Sequence, residues 1–406
     1  MLPIINGSPT DWENLYTALK DADEIRKRIF KDGKTIISFD LQLYIKAIML
    51  QQKTDIRSSF VFRMGELHVV FCALKVIGKL INCSGLDQIF DEAGIYGLTT
   101  ISQIKDGEHM YRALEAHFSL YIALNKMYWN RFINEHPQIG KELRQTVVDA
   151  VENLSKFDDD NKEKVQQNHK RLIDEITKID FIGLKNVFDK SLKNQAKFYR
   201  LYMNLFEIIL IFIRATREES WNLHLSSLHE LCPYFFSFDM INYARMTPVY
   251  LSQMTSLKNS DERTWRLMLT GRFCVGKSKV PFTSIGADHG IEQENRAIKV
   301  VGGIKGIGNL SLNLDEYFLS TAEMSNIIKS FCERFNISEA TRRDTHYQLS
   351  GSKNSRIEAN VIKLSNAFET YDVNFNESDY LYNILTKKVF PQKYAECFLS
   401  LEKIGQ

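Results

Sequence analysis

Three acidic residues stand where the side chains of a small sheet would converge. Asp40 closes the apolar run Thr35-Ile-Ile-Ser-Phe, Glu66 follows SSFVFRM and a glycine, and Glu292 lies within ADHGIEQENRAIK. Carboxylates at strand ends, with a third on a helix packed across the sheet, supply the hard oxygen ligands that two divalent cations about 4 Å apart require. Such a cation pair activates water and stabilises the leaving oxygen in phosphodiester cleavage. The same residues have a plainer reading, with Asp40 an N-cap, Glu66 a turn residue and Glu292 a solvated helix position. On spacing alone the plainer reading is the better one, because acids at strand-helix junctions are common. His68 and His289 lie beside two of these acids and are secondary candidates for orienting a phosphate or a carboxylate. Asp288, four residues before Glu292 on one helical face, is an N-cap or an extra ligand, and the cap is the simpler expectation.

Two further motifs invite chemistry. Gly271 to Ser278 (GRFCVGKS) satisfies the letters of a phosphate-binding loop, but such a loop follows a buried strand and opens a helix. Here LMLT precedes it and Lys279-Val280-Pro281 follows, and RFCVGKSKV alternates as an edge strand does. The run PYFFSFDMINYARMTPVYL is dense in Phe and Tyr and is expected to pack in a core. Within it Asp239, Asn242 and Arg245 have helical spacing and could line a groove along a nucleic-acid backbone.

The elements that must position these residues follow a repeated pattern. Asp32-Gly33 is a turn signal, Thr35 to Phe39 a strand, and LQLYIKAIMLQQ a helix directly after Asp40. Ser58 to Met64 is a second strand, followed by Gly65-Glu66-Leu67-His68 and the apolar helix VVFCALKVIGKLI. Strand, acid and helix therefore occur twice in succession. A helix to about Lys31 precedes them, and helices dominate from VVFCALKVIGKLI to about residue 258, including a charged amphipathic stretch around NKEKVQQNHKRLIDEITKI. Pro233 and Pro248 are expected to interrupt helices. Arg272 to Val280 is a third strand candidate, Asp288 to Lys299 a helix, VGGIKGIGNLSL a loop, and Glu339 to Ile362 a polar linker.

Composition narrows the classes. The chain has 406 residues, 44% hydrophobic and 25% charged, a globular profile. Six scattered cysteines show no CxxC spacing, which argues against a disulfide framework or zinc module and for a reducing compartment. The most apolar run, LFEIILIFI, is too short to span a bilayer and contains Glu207, so a buried helix is expected and no membrane partner. Lys and Arg number 52 against 50 Asp and Glu, so no general basic field advertises nucleic acid.

Read in order, the segments LPIINGSPTDW, ISFDLQLY, FRMGELHVVFCALKVIGKLINCSGLDQIFDEAGIYG, KDGEHMYRALEAHF, FSFDMINYARMTPVYL and PFTSIGADHGIEQENRAI resemble uncharacterised animal proteins associated with mobile elements and similar to transposases of RNase H-like fold. The resemblance implies an α/β, predominantly helical protein, an RNase H-like core carrying a large all-helical insertion. It implies Asp40, Glu66 and Glu292 as catalytic metal ligands, Mg²⁺ or Mn²⁺ as cofactor, DNA as partner, a possible homo-oligomer and a nuclear location. Residues 1–31 form an N-terminal helical segment in this division, 32–80 and 259–335 the core, 81–258 the insertion and 336–406 a helical tail. Two departures stand out. Glu66 replaces the aspartate that related families favour, and neither an N-terminal zinc finger nor a continuation beyond LEKIGQ is present, as in a fragment or a copy unable to transpose. The resulting expectation is metal-dependent DNA cleavage or strand transfer in a degenerate form, against a non-catalytic binding protein as the alternative.

Overall fold

The computed structural model describes residues 7–29, 33–54, 59–142, 181–276, 282–300, 351–375 and 378–392, with a few single positions besides. The chain is predominantly helical. It begins with α1 (Trp12–Ile29), β1 (Thr35–Phe39), α2 (Leu41–Lys53), β2 (Phe60–Met64) and α3 (Glu66–Ile81). Next come α4 (Ile89–Glu92), α5 (Leu98–Lys105), α6 (Met110–Glu135), α7 (Phe181–Ser191) and α8 (Asn194–Arg217). Then follow α9 (Trp221–Ser237), α10 (Ile241–Ser260), α11 (Glu262–Leu269), β3 (Cys274–Val275), β4 (Ile285–Gly286), α12 (Ala287–Val300) and α13 (Gly351–Thr370).

β1 and β2 are parallel neighbours, in register from Thr35 opposite Phe60 to Phe39 opposite Met64. Parallel pairing needs a crossover, and α2 provides it. β2 is buried along its whole length, as a parallel strand covered on both faces should be. The ladder continues past the strand end, where the Gly65 N–H donates to the Phe39 carbonyl at 2.7 Å. Both strands therefore finish side by side, and their next residues, Asp40 and Gly65, meet at one edge. β3 and β4 pair antiparallel, Cys274 with Gly286 and Val275 with Ile285.

The chain divides into two compact units, Met1–Val76 with Ile208–Arg356, and Ile77–Glu207 with Ile357–Gln406. The first holds both strand pairs together with α9, α10 and α11, of which the sequence division assigns α9 and nearly all of α10 to the insertion and α11 to the core. Their aromatic residues explain the grouping. Tyr44 of α2 stands edge-on to Tyr250 of α10 and donates to Gln253 at 3.0 Å. In the second unit, fully buried His117 of α6 lies 3.1 Å from the Tyr202 hydroxyl, and burial pushes its imidazole down to about 3, so it stays neutral.

Several local expectations change. Pro233 and Pro248 lie inside α9 and α10 and end neither helix. Each removes one backbone donor, but buried residues on both sides, Leu228 and Phe235 around the first and Ala244 and Met254 around the second, hold the helices against their core. Gly351 to Ile362, expected as linker, is the first part of α13, whose Ile357, Val361 and Leu364 are buried. Of the third strand candidate, Cys274–Val275 is a strand, Arg272 and Phe273 lie in the turn before it, and residues 277–280 lie outside the described residues. Residues 161–179, the glycine-rich 301–308 and 339–350 lie outside the described residues. LFEIILIFI falls within α8, with Leu205, Phe206, Ile209 and Phe212 buried and Glu207 accepting from the Tyr121 hydroxyl at 2.8 Å. Among the described residues no helix is long and apolar enough to cross a membrane.

Candidate functional site

The edge where β1 and β2 end gathers four of the candidate residues, Asp40, Glu66, His68 and Asp288, within the first unit. Asp40 caps α2, its carboxylate accepting from the Leu43 N–H at 2.8 Å, which satisfies one of the free amides of the first turn. Glu66 opens α3 and is 3% exposed. One of its oxygens, Oε1, pairs with the Arg63 guanidinium, while Oε2 has no hydrogen-bond partner.

Arg63 is the penultimate residue of β2 and is 0% exposed. Besides Glu66 it donates to the Phe273 carbonyl at 2.6 Å and the Ser38 hydroxyl at 3.3 Å. Its guanidinium lies over two rings, 5.4 Å from the Trp221 centroid and 5.1 Å from that of Phe273. Burial works against this charge, and the neighbouring Glu66 carboxylate outweighs it, so Arg63 is held protonated. Burial pushes the Glu66 carboxyl above its usual range, Arg63 offsets part of that shift, and Asp288 adds to it.

Asp288 is 7% exposed and sits in the first turn of α12, yet it caps a different helix. Its Oδ2 accepts from the His68 ring at 3.0 Å and from the His68 backbone N–H at 3.3 Å, at the N-terminus of α3. The expected capping of its own helix is thus corrected to a long-range cap between α12 and α3, because the free amides of α3 point at it. Burial raises the Asp288 carboxyl, but the His68 ring and the amides of Leu67 and His68 outweigh it and hold the group below its usual range. His68 is raised in turn, first by that hydrogen bond, with burial opposing, and then by the charges of Asp288, Asp40 and Glu292.

Two glycines admit this carboxylate. A Cβ on Gly65 would overlap the Asp288 side chain. A Cβ on Gly286 would stand 2.8 Å from both Asp288 Oδ1 and Glu66 Oε2, so these two oxygens flank the same small space.

Of the remaining candidates, His289 touches that pair through its backbone, and Glu292, Asp239 and Arg245 are exposed. Glu292 is exposed, one turn beyond Asp288. The His289 backbone N–H donates to Asp288 Oδ1 at 2.9 Å, and its ring lies 3.2 Å from the Gln293 amide. Asp239 is exposed and belongs to neither flanking helix, because it takes the left-handed position (φ 54°) that closes α9. Met240 N–H to Phe235 carbonyl at 2.9 Å and Asp239 N–H to Phe236 carbonyl at 3.3 Å complete that closure. It therefore does not share a helical face with Arg245, which is exposed on α10. Gly271 follows α11 in a turn with φ 79° and leads into β3, the reverse of the strand-to-helix order a phosphate loop needs, while Lys277 and Ser278 lie outside the described residues.

The donors present do not fit a two-cation centre. Glu66 gives one oxygen to Arg63, Asp288 is taken up by His68 and amide groups, and Glu292 is exposed. Among the described residues no group of three or more His, Cys, Asp or Glu is arranged to hold a metal ion. Sequence reasoning missed Arg63, Gly65 and Gly286 as parts of this cluster. The available signal was a single charge inside the apolar run FVFRM, since a strand buried on both faces cannot carry an unpaired charge.

Over residues 1–405 the chain matches a family described as a domain of unknown function, DUF8702. The chain belongs to this family. No curated protein matches it. No solved structure matches it either. The Arg63, Glu66 and Asp288 cluster thus lies within the span that defines DUF8702.

Proposed function

We propose that this chain is a transposase-like protein of RNase H-like ancestry that no longer cuts DNA, its acid cluster having become a structural joint while the protein serves as a non-catalytic binder. Support for the ancestry comes from Asp40 and Glu66 at the ends of adjacent parallel strands, with α12 bringing Asp288 to the same edge. One observation carries the loss of cleavage. A buried arginine occupies an oxygen of Glu66 that a divalent cation would need. Duplex DNA is the partner implied by this ancestry, with a nuclear location and self-association as companions of the same reading.

The test incubates linear and supercoiled duplex with the full chain in Mg²⁺ and in Mn²⁺, beside Asp40→Ala, and measures duplex binding by fluorescence anisotropy. Neither protein should cleave, and both should bind. Metal-dependent cleavage by the wild type that disappears in Asp40→Ala overturns the proposal, and absence of duplex binding removes DNA as the partner. A catalytic reading is favoured by one observation, the unpartnered Glu66 Oε2 beside Asp288 Oδ1, and the same assay separates the two.

A further inference from the structure

We infer that Arg63 is a built-in counter-ion standing in for a divalent cation, and that removing its charge uncovers a cation site between Glu66 and Asp288. The inference rests on the non-cleaving reading and deepens it. The two carboxylates are nearly buried, 3% and 7% exposed, and their oxygens Oε2 and Oδ1 face one space that Gly286 leaves open. Oε2 is buried, unpartnered and aimed into that space, so the cluster retains an acceptor that the protein does not satisfy.

Charge bookkeeping shows why no cation is needed as the chain stands. Arg63 supplies one positive charge to Glu66, and His68 with the N-terminus of α3 supplies the field that holds Asp288 ionised. Without the guanidinium, Glu66 Oε1 and Oε2, together with Asp288 Oδ1, which also accepts from the His289 N–H at 2.9 Å, become three hard oxygen acceptors in a buried place with uncompensated negative charge. A divalent cation of the Mg²⁺ or Mn²⁺ class is the ligand that such oxygens take.

The experiment compares the wild-type chain, Asp288→Asn, Arg63→Met, Arg63→Gln and Arg63→Met/Asp288→Asn. Thermal unfolding is followed with and without Mn²⁺, and binding is read directly from the loss of free Mn²⁺ signal in electron paramagnetic resonance. The wild type should neither bind Mn²⁺ nor change its midpoint. Arg63→Met should bind Mn²⁺ and gain roughly 2–4 °C at about a hundredfold excess over its dissociation constant, and Asp288→Asn in that background should abolish both effects. A folded Arg63→Met without a Mn²⁺ response overturns the inference, as does Mn²⁺ binding to the wild type that Asp288→Asn removes. Should neither Arg63→Met nor Arg63→Gln recover a native near-ultraviolet spectrum in saturating Mn²⁺, the inference also fails, because an accepted cation restores the missing charge. Failure here leaves the non-cleaving reading intact, whereas wild-type cleavage overturns that reading first.

Discussion

Arg63 and Glu66 form a buried pair, and its energetics can be measured by a double-mutant cycle of Arg63→Met, Glu66→Gln and the double variant. Arg63→Met strands the Glu66 carboxylate in the interior and removes the donors to Phe273 and Ser38. Breaking a buried pair from one side costs about 3–5 kcal/mol, a large part of a typical total of about 5–15 kcal/mol. Replacing both partners removes the stranded charge while keeping most of the packed volume, so the double variant should be more stable than Arg63→Met alone, with a coupling of at least about 2 kcal/mol. Urea unfolding followed by tryptophan fluorescence suits the measurement, because the Trp221 ring lies 5.4 Å from the guanidinium. The pH dependence has a definite sign. Burial raises the folded Glu66 carboxyl above its unfolded value, so its contribution stabilises at acid pH and is lost as pH rises through the folded value. Arg63→Met enlarges that shift, and its deficit against the wild type should therefore shrink as pH is lowered towards the carboxylate range. A coupling below about 0.5 kcal/mol, the scatter expected of independent sites, refutes the pairing.

Four other substitutions read further features of the fold. Asp288→Asn should lower the titration midpoint of His68 towards that of an ordinary imidazole, measured by NMR of the ring protons and assigned with His68→Gln. Because the folded His68 value is raised, the stability it lends is present below the ordinary imidazole range and fades as pH rises through the folded value; an unmoved titration excludes the contact. Asp40→Ala should cost about 1 kcal/mol through loss of the α2 cap, while Glu292→Ala, at an exposed position, should stay within about 0.5 kcal/mol of the wild type in the same urea assay. Gly78→Ala in α3 would place a methyl 2.6 Å from the backbone carbon of Lys105, and overpacking of this kind should cost about 1–3 kcal/mol in thermal unfolding; an unchanged midpoint rules out the close approach of α3 and the end of α5.

Where local rules suffice, the chain is legible. Thr35 to Phe39 and Ser58 to Met64 are short β-prone runs closed by turn residues, and β1 and β2 form there. Asp40 directly before an apolar periodic run caps α2, the plainer of its two readings. Long-range partners are not encoded in this way. Arg63 reaches the carbonyl of Phe273, 210 positions away, and Asp288 reaches the His68 amide across 220, so neither role follows from periodicity or spacing. The same reason lets α9 and α10 run through their prolines, because burial against distant residues decides the outcome and local propensity does not.

The three-residue step from Arg63 to Glu66 has a consequence for inheritance. The guanidinium and the carboxylate each make the other tolerable in the interior, so neither position is free to change first. A DUF8702 chain that lost the arginine while keeping Glu66 would need a proton or a cation at once, and one that lost the acid would bury a bare guanidinium. Positions 63 and 66 are therefore expected to vary as one character among relatives, basic with acidic or both apolar. A relative with an apolar residue at 63 and an acid at 66 is where metal-dependent chemistry should be sought in this family.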